Sequence, residues 1–178
     1  VPKIVIDAFL SAEDKNFYKH PGIDAIGITR AVIKNIENIL TGKRLEGAST
    51  ITQQVAKNFL LSSDVSLARK VREAILAFRI EKVLSKDRIL ELYLNEIYLG
   101  ERSYGIASAS MTYFDKSIKD INASEAALLA SLPKAPSKYN PYRNFETVKA
   151  RKDWVLRRMN ENGFISKDDL AKSLEYFL

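Results

Sequence analysis

Glu13 and Asp14 stand side by side in "AEDKNFYKHPG", residues 12–22, which also holds two aromatics and the chain's only histidine, His20, before it stops at Pro21-Gly22. A carboxylate at the end of an apolar run is suited to general-base work, because an attacking hydroxyl must pass its proton to a nearby acceptor. Further along, "SLARKVREAILAFRIEKVL" sets Glu73 three residues after Lys70 and four after Arg69, with Arg72 beside it. On a helix those spacings bring side chains together. In "STITQQVAKNFLL" helical spacing puts Thr50, Gln53, Gln54, Lys57 and Asn58 on one side and Ile51, Val55 and Phe59 on the other. The polar side is nearly uncharged, which suits a hydroxyl-rich ligand, with plain solvation as the ordinary alternative. Two chemistries fit these residues. Attack of a sugar hydroxyl on an anomeric carbon, with phosphate or pyrophosphate leaving, needs one base and a group of cations, as in Glu13 with Lys57, Arg69 and Lys70. A glycoside hydrolase instead needs two carboxylates across the scissile bond, for which Glu13 and Glu73 would serve, and no cations. The basic cluster favours phosphate departure, against the ordinary alternative of a solvated helix with weak ion pairs.

Such side chains need helices to carry them. Apolar residues recur three and four apart along most of the chain and alternating Val-Ile-Thr runs are scarce, so a mainly α fold is expected. The spacing predicts helices over 3–15, 24–40, 49–61, 66–84, 86–99, 104–114, 123–132, 146–162 and 167–177. Asn122 with Glu125, and Ser166 with Asp169, read as capping boxes, and Gly163 as a helix stop. The stretches 41–47, 100–103 and 133–144 read as irregular, the last being rich in proline.

Composition narrows the classes. A chain of 178 residues, 46 % hydrophobic and 28 % charged, can bury one substantial core and is expected to fold as a single domain over 1–178. Cysteine is absent, which excludes a disulfide framework, a thiolate metal site and a cysteine nucleophile. A net charge of +6 favours anionic partners: phosphate, nucleic acid or an acidic membrane surface. No apolar run approaches the roughly 20 residues of a membrane-spanning helix. The opening at Val1, with neither Met nor a signal-like segment, reads as a processed piece, so a flanking membrane anchor is expected outside it.

In order along the chain, "AEDKNFYKHPGID", "GASTITQQVAKN", "RKVREAILAFRIEKVLSKDRILELYLNEIYLG", "YGIASASMTYF" and "EAALLASLPKAPSKYNP" closely resemble the successive motifs of the peptidoglycan glycosyltransferases, glycosyltransferase family 51. The likeness covers residues 12–141 nearly continuously, and "ARKDWVLRRMNENGFISKDDLAKS" looks like the region after this domain in class A penicillin-binding proteins, with a transpeptidase domain expected to follow 145–178. The resemblance implies a mainly α, lysozyme-like, two-lobed helical domain on the outer face of the cytoplasmic membrane, with a small membrane-facing lobe at about 24–48. It implies polymerisation of lipid II into linear glycan, in which the acceptor's N-acetylglucosamine 4-hydroxyl attacks the donor's anomeric carbon with inversion and releases undecaprenyl pyrophosphate. By the same resemblance Glu13 is the general base and Glu73 a second functional carboxylate that supports the donor site. Lys57, Arg69 and Lys70 correspond to cations around the pyrophosphate, with Arg72 beside them. Ser49, Thr50, Gln54 and Asn58 line the cleft, and Asp14, Phe17 and His20 shape the end of the catalytic helix. Lipid II, the growing glycan, the membrane surface and other cell-wall synthesis proteins are the implied partners, and a divalent cation, Mg²⁺ or Mn²⁺, the implied cofactor.

Two departures stand out. Some relatives carry a further Arg between the second and third motifs where this chain has Val65 and Ser66, which shifts charge neutralisation onto Lys57, Arg69, Lys70 and a metal. The second motif opens "GAST" where many relatives have Gly-Gly-Ser-Thr. For His20 the residues alone suggest a hydrogen-bonded structural group near a turn. Asp14 could raise the proton affinity of Glu13 as a like charge, but adjacent helical residues point about 100° apart.

The stretch "AVIKNIENILTGKRL" carries an apolar stripe of Val32, Ile33, Ile36, Ile39 and Leu40 flanked by Lys34, Lys43 and Arg44, the pattern of a basic helix at a lipid interface. A core-facing helix is the ordinary alternative. In "VKARKDWVLRRMNENG", Trp154, Leu156 and Met159 are expected to pack against the body, and no helix-turn-helix, zinc or single-strand motif accompanies the basic charge, so nucleic acid is not expected. Besides the transferase, a lysozyme-like hydrolase and a catalytically idle glycan-binding module remain as rival readings. The set Glu13, Glu73 and Lys57 argues against the idle module, which needs no base beside cations.

Overall fold

Pro2, its φ already near −59°, opens α1 (Lys3–Glu13), a helix whose first turn needs no proline N–H. In a computed structural model of the chain, residues 1–42, 47–60, 66–135 and 139–176 are described, and they fall into two units, 1–15 with 94–178, and 16–93. The expected basic flank Lys43 and Arg44, the departure at Val65 and Phe177, the last residue of the predicted 167–177 helix, lie outside the described residues.

The first unit holds α1 and α6 to α9: α6 (Ile106–Phe114), α7 (Ala123–Ser131), α8 (Phe145–Glu161) and α9 (Lys167–Glu175). Its centre is α7, which packs on α1, α6, α8 and α9 and is buried from Ser124 to Ser131. The Asn122–Glu125 capping box forms in full: the Asn122 side chain accepts from the Glu125 N–H, and the Glu125 carboxylate accepts from the Asn122 N–H. Around it Val5, Phe9, Leu128, Leu129, Val148, Val155, Leu156 and Met159 are buried, each large side chain contributing about 1.5–3 kcal/mol by leaving water. The end of α8 is tied to α1 where Asn162 Nδ2 donates to Ser11 Oγ at 3.1 Å. Gly163, at φ +76°, closes α8 with the Phe164 N–H bonded back to the Met159 carbonyl, as the predicted stop requires. At α9 the Ser166 hydroxyl accepts from the Asp169 N–H, and the Asp169 carboxylate in turn accepts from the Ser166 backbone N–H and hydroxyl, so the expected box forms.

The predicted helix 86–99 is shorter. Helix α5 (Lys86–Glu96) stops before Ile97, and residues 97–105 double back so that Tyr98 and Tyr104 pair in an antiparallel bridge. Ile97 and Leu99 are buried while Tyr98 is exposed, an alternation that is easily mistaken for helical periodicity over so short a run. Gly105 makes the close approach possible, because a Cβ there would overlap the Asn95 carbonyl oxygen. Trp154 also departs from expectation: Leu156 and Met159 are buried, but Trp154 is partly exposed beneath the Arg151 guanidinium, 4.0 Å from the ring centroid.

The second unit holds α2 (Ala25–Leu40), α3 (Ile51–Leu60), α4 (Leu67–Val83) and the start of α5, with α3 packed on α4. Asp24 caps α2 by accepting the Gly27 N–H at 2.8 Å, and Ser66 caps α4 by accepting the Arg69 N–H at 3.1 Å. The stripe on α2 lies on the surface: Val32, Ile33, Ile36, Ile39 and Leu40 are all more than half exposed. The core-facing alternative is therefore not the one the protein adopts. Among the described residues no helix is long and apolar enough to cross a membrane.

Candidate active site

Each unit carries part of the predicted residue set. In the first, α1 ends at Glu13 because Asp14 leaves helical geometry at φ −159° while its N–H still bonds the Leu10 carbonyl. Glu13 is partly exposed at this helix end, whereas Asp14 is buried.

In the second, a 3₁₀ turn at Phe17–Lys19 leads into His20, Pro21 and Gly22. Phe17 is fully buried, so it shapes the turn from inside. His20 is also buried, and its Nδ1 accepts the Gly22 N–H at 3.1 Å. Gly22 has φ +95°, and a Cβ on it would sit 2.9 Å from the backbone of Ala77 in α4, so the turn lies directly against that helix. The Gly22 carbonyl accepts the Thr50 hydroxyl at 2.6 Å.

Thr50 has a second task. Its hydroxyl accepts the Gln53 N–H at 3.1 Å while Gln53 Oε1 accepts the Thr50 N–H at 3.0 Å, a reciprocal cap on α3. Thr50 and Gln53 are therefore buried, and the polar side expected on this helix narrows to half-buried Gln54, which accepts from Tyr93 Oη at 3.4 Å, and exposed Lys57 and Asn58.

The cation cluster forms around Glu73. Its carboxylate, only 2 % exposed, faces Arg69 Nε at 3.1 Å through one oxygen and Lys70 Nζ at 2.6 Å through the other. Lys70 Nζ also donates to Ser49 Oγ at 2.7 Å, which joins the start of α3 to α4. A carboxylate so deeply placed is stable as an anion only with such partners, so the weak solvated ion pairs considered from sequence are replaced by a fixed pair of cations. Two cations against one carboxylate leave a surplus positive charge, and Lys70, with its side chain 47 % exposed, can present it to an anion. Arg72 is exposed and makes no ion pair with a described residue.

Asp24 has a displaced ionisation. Burial pushes it up, but the Gly27 N–H, the Asn16 amide and the charges of His20 and Arg30 outweigh burial and hold it below the ordinary carboxylate range. Among the described residues no group of three or more His, Asp and Glu could hold a metal ion, and Glu73 is already matched by two cations. The described residues form no protein cage for a divalent cation.

Sequence reasoning passed over three residues here. Thr52 Oγ1 donates to Glu81 Oε1 at 2.6 Å, and Lys86 Nζ donates to that same oxygen at 2.6 Å and to the His20 carbonyl at 2.7 Å. Only the off-end placement of Lys86 hinted at this: a cation in the first turn of a helix opposes the helix dipole.

Glu13 stands partly exposed at a helix end in one unit, and the other unit holds a buried carboxylate gripped by two cations. Comparison with known proteins makes the class specific: the Transglycosylase family matches residues 1–160, and the chain belongs to it. It is similar to penicillin-binding protein 1A of Rickettsia felis, at 53 % identity over 175 residues, 98 % of this chain and 22 % of that protein. Similarity to penicillin-binding protein 1A of Neisseria flavescens is 55 % over 174 residues, 98 % of this chain and 21 % of the relative. The fold is similar to the crystal structure of penicillin-binding protein 1A from Haemophilus influenzae, with a TM-score of 0.56 and 28 % identity over 100 % of this chain and 16 % of that one. The mainly α, lysozyme-like fold is thus borne out, and the chain is a peptidoglycan glycosyltransferase domain of the class A penicillin-binding protein type. It spans about a fifth of the length of these relatives.

Proposed function

We propose that this domain polymerises lipid II by inverting transfer and releases undecaprenyl pyrophosphate. Glu13 takes the proton from the acceptor's 4-hydroxyl as that oxygen bonds to the donor's anomeric carbon. The bond from that carbon to the pyrophosphate oxygen breaks, and the pyrophosphate leaves with the electron pair. As a weak base it needs no general acid, only positive charge, which Lys70, Arg69 and Lys57 supply. Glu73 then has a definite part: it fixes Arg69 and Lys70 in place rather than moving a proton. The single observation that supports this reading best is the Arg69–Glu73–Lys70 group, which a hydrolase of the two-carboxylate type would not need. A divalent cation, where it takes part, would arrive on the pyrophosphate.

The exposed stripe of α2 supports action at a membrane surface, on the outer face of the cytoplasmic membrane, where a polyprenyl-linked donor resides. Lipid II, the growing glycan and other cell-wall synthesis proteins are the proposed partners.

The test is binding of a phosphoglycolipid of the moenomycin type, which resembles the donor chain. Lys57→Ala and Lys70→Met should each weaken it by roughly 10- to 100-fold, the worth of a charge-assisted hydrogen bond. Unchanged affinity in both would remove the cations from the pyrophosphate site.

A further inference from the structure

Lys86 and Glu81 lie outside every residue assigned above to substrate, yet they join two parts of the second unit. Lys86 Nζ is 4.4 Å from the centroid of the Phe17 ring and bonds both the His20 carbonyl and Glu81 Oε1. The side chains of Lys86 and Glu81 are only 20 % and 9 % exposed, and Thr52 from α3 closes the group on the Glu81 side. Beside it Tyr18 Oη donates to Asp87 Oδ1 at 3.0 Å, so the turn is held to α5 at two points.

The hydrogen bonds continue from there within the same unit. His20 receives the Gly22 N–H, the Gly22 carbonyl receives the Thr50 hydroxyl, and Ser49, next to Thr50, receives Lys70 Nζ, which in turn grips Glu73. The turn braced by Lys86 also follows Glu13 in the chain by only a few residues. We infer that Lys86 and Glu81 are positioning residues, which hold the Phe17–Gly22 turn, and through Gly22 and Thr50 the Ser49–Lys70 end of the cation cluster, in the geometry that transfer requires. This inference rests on the transferase reading of the cluster. Orientation of groups that touch the reacting atoms is worth large factors in rate, and a small displacement by a distant change is enough to lose them.

The pair must be removed together, because Lys86→Met alone would strand the Glu81 carboxylate in a poorly solvated place and could unfold the chain. The double variant Lys86→Met, Glu81→Gln removes both charges and keeps an amide oxygen for Thr52. Hydrogen exchange at the Gly22 amide and steady-state polymerisation of lipid II are measured on wild type, the double variant and Lys86→Arg. The expected result for the double variant is an unchanged far-ultraviolet spectrum, faster exchange at Gly22, and a kcat lower by about 10- to 100-fold with KM shifted far less. Lys86→Arg, which keeps the pair with Glu81, should restore most of both. Unchanged exchange at Gly22, or faster exchange with wild-type kcat, would overturn the proposal. A wild-type chain that makes no polymer would instead sink the transferase reading, while the exchange comparison would still decide whether the brace exists.

Discussion

The two units treat their apolar side chains in opposite ways. The first buries its aliphatic residues around α7, and the large apolar groups it leaves to water are mainly amphipathic: Tyr98, Tyr104, Tyr142, Trp154 and Tyr176. The second exposes aliphatic chains with no polar handle, Ile26, Ile33, Ile36, Ile39 and Leu40 on α2 and Leu67, Val71 and Ile75 on α4. Charge divides in the same way. Residues 16–93 hold 13 Lys and Arg against 8 Asp and Glu, so +5 of the chain's +6 lies there. Tyr and Trp are comfortable at a wet surface, whereas a contiguous aliphatic surface beside basic groups is costly in water and suits an anionic lipid interface. One unit is thus a conventional packed body that carries Glu13, and the other a basic, greasy unit that carries the Arg69–Glu73–Lys70 group.

The sharpest way to break that contrast is to truncate matched aliphatic residues in both units. Leu129→Ala, in the buried helix α7, should cost about 2–5 kcal/mol in chemical denaturation, since it removes fully enclosed methyl groups and leaves a cavity. Ile36→Ser with Ile39→Ser, on exposed positions of α2, should change stability by no more than about 0.5 kcal/mol each. The same pair should reduce sedimentation with anionic vesicles by roughly tenfold, from the apolar area withdrawn from lipid. If the α2 pair destabilises the fold more than it weakens vesicle binding, the contrast between the units is false.

A smaller effect concerns the cap of α2. Because Asp24 ionises below its ordinary 3.8 in the folded chain, its charge adds stability that is fully present above that value and is lost as the pH falls through the lower, folded value. Asp24→Asn keeps the cap but removes the charge, so it should lower the melting temperature slightly at pH 7 and not at all near pH 2. An equal deficit at both would mean that the charge contributes nothing.

Local spacing made much of this visible before any coordinates. The i,i+3 and i,i+4 placement of Lys70 and Arg69 against Glu73, the Asn122–Glu125 cap and the stripe of α2 depend on neighbours within two turns, and all three are found. What sequence could not show is set by distant partners. Thr50 and Gln53 look like part of a ligand-facing row, but they cap each other, and Thr50 also reaches Gly22 across 28 positions. Lys86 looks like one more surface lysine until His20, 66 positions away, is brought to it. On α8, the basic run weighed against nucleic-acid binding is largely engaged internally: buried Lys152 donates to the Tyr176 carbonyl at 2.7 Å, Lys149 pairs with Asp153, and Arg151 lies on Trp154. The end of α5 was misjudged because Ile97 and Leu99 fit a helical stripe and an alternating one equally well over three residues.

The central claim is that Glu13 deprotonates a sugar hydroxyl while the cations around Glu73 receive a pyrophosphate. The most direct test incubates the chain with lipid II in detergent or vesicles, with and without Mg²⁺, and separates the products beside those of Glu13→Gln. The account predicts linear glycan and free undecaprenyl pyrophosphate from the wild type, with the rate reduced roughly 10²- to 10⁴-fold in the variant. Cleavage of preformed glycan without polymer, or full turnover by Glu13→Gln, would contradict it.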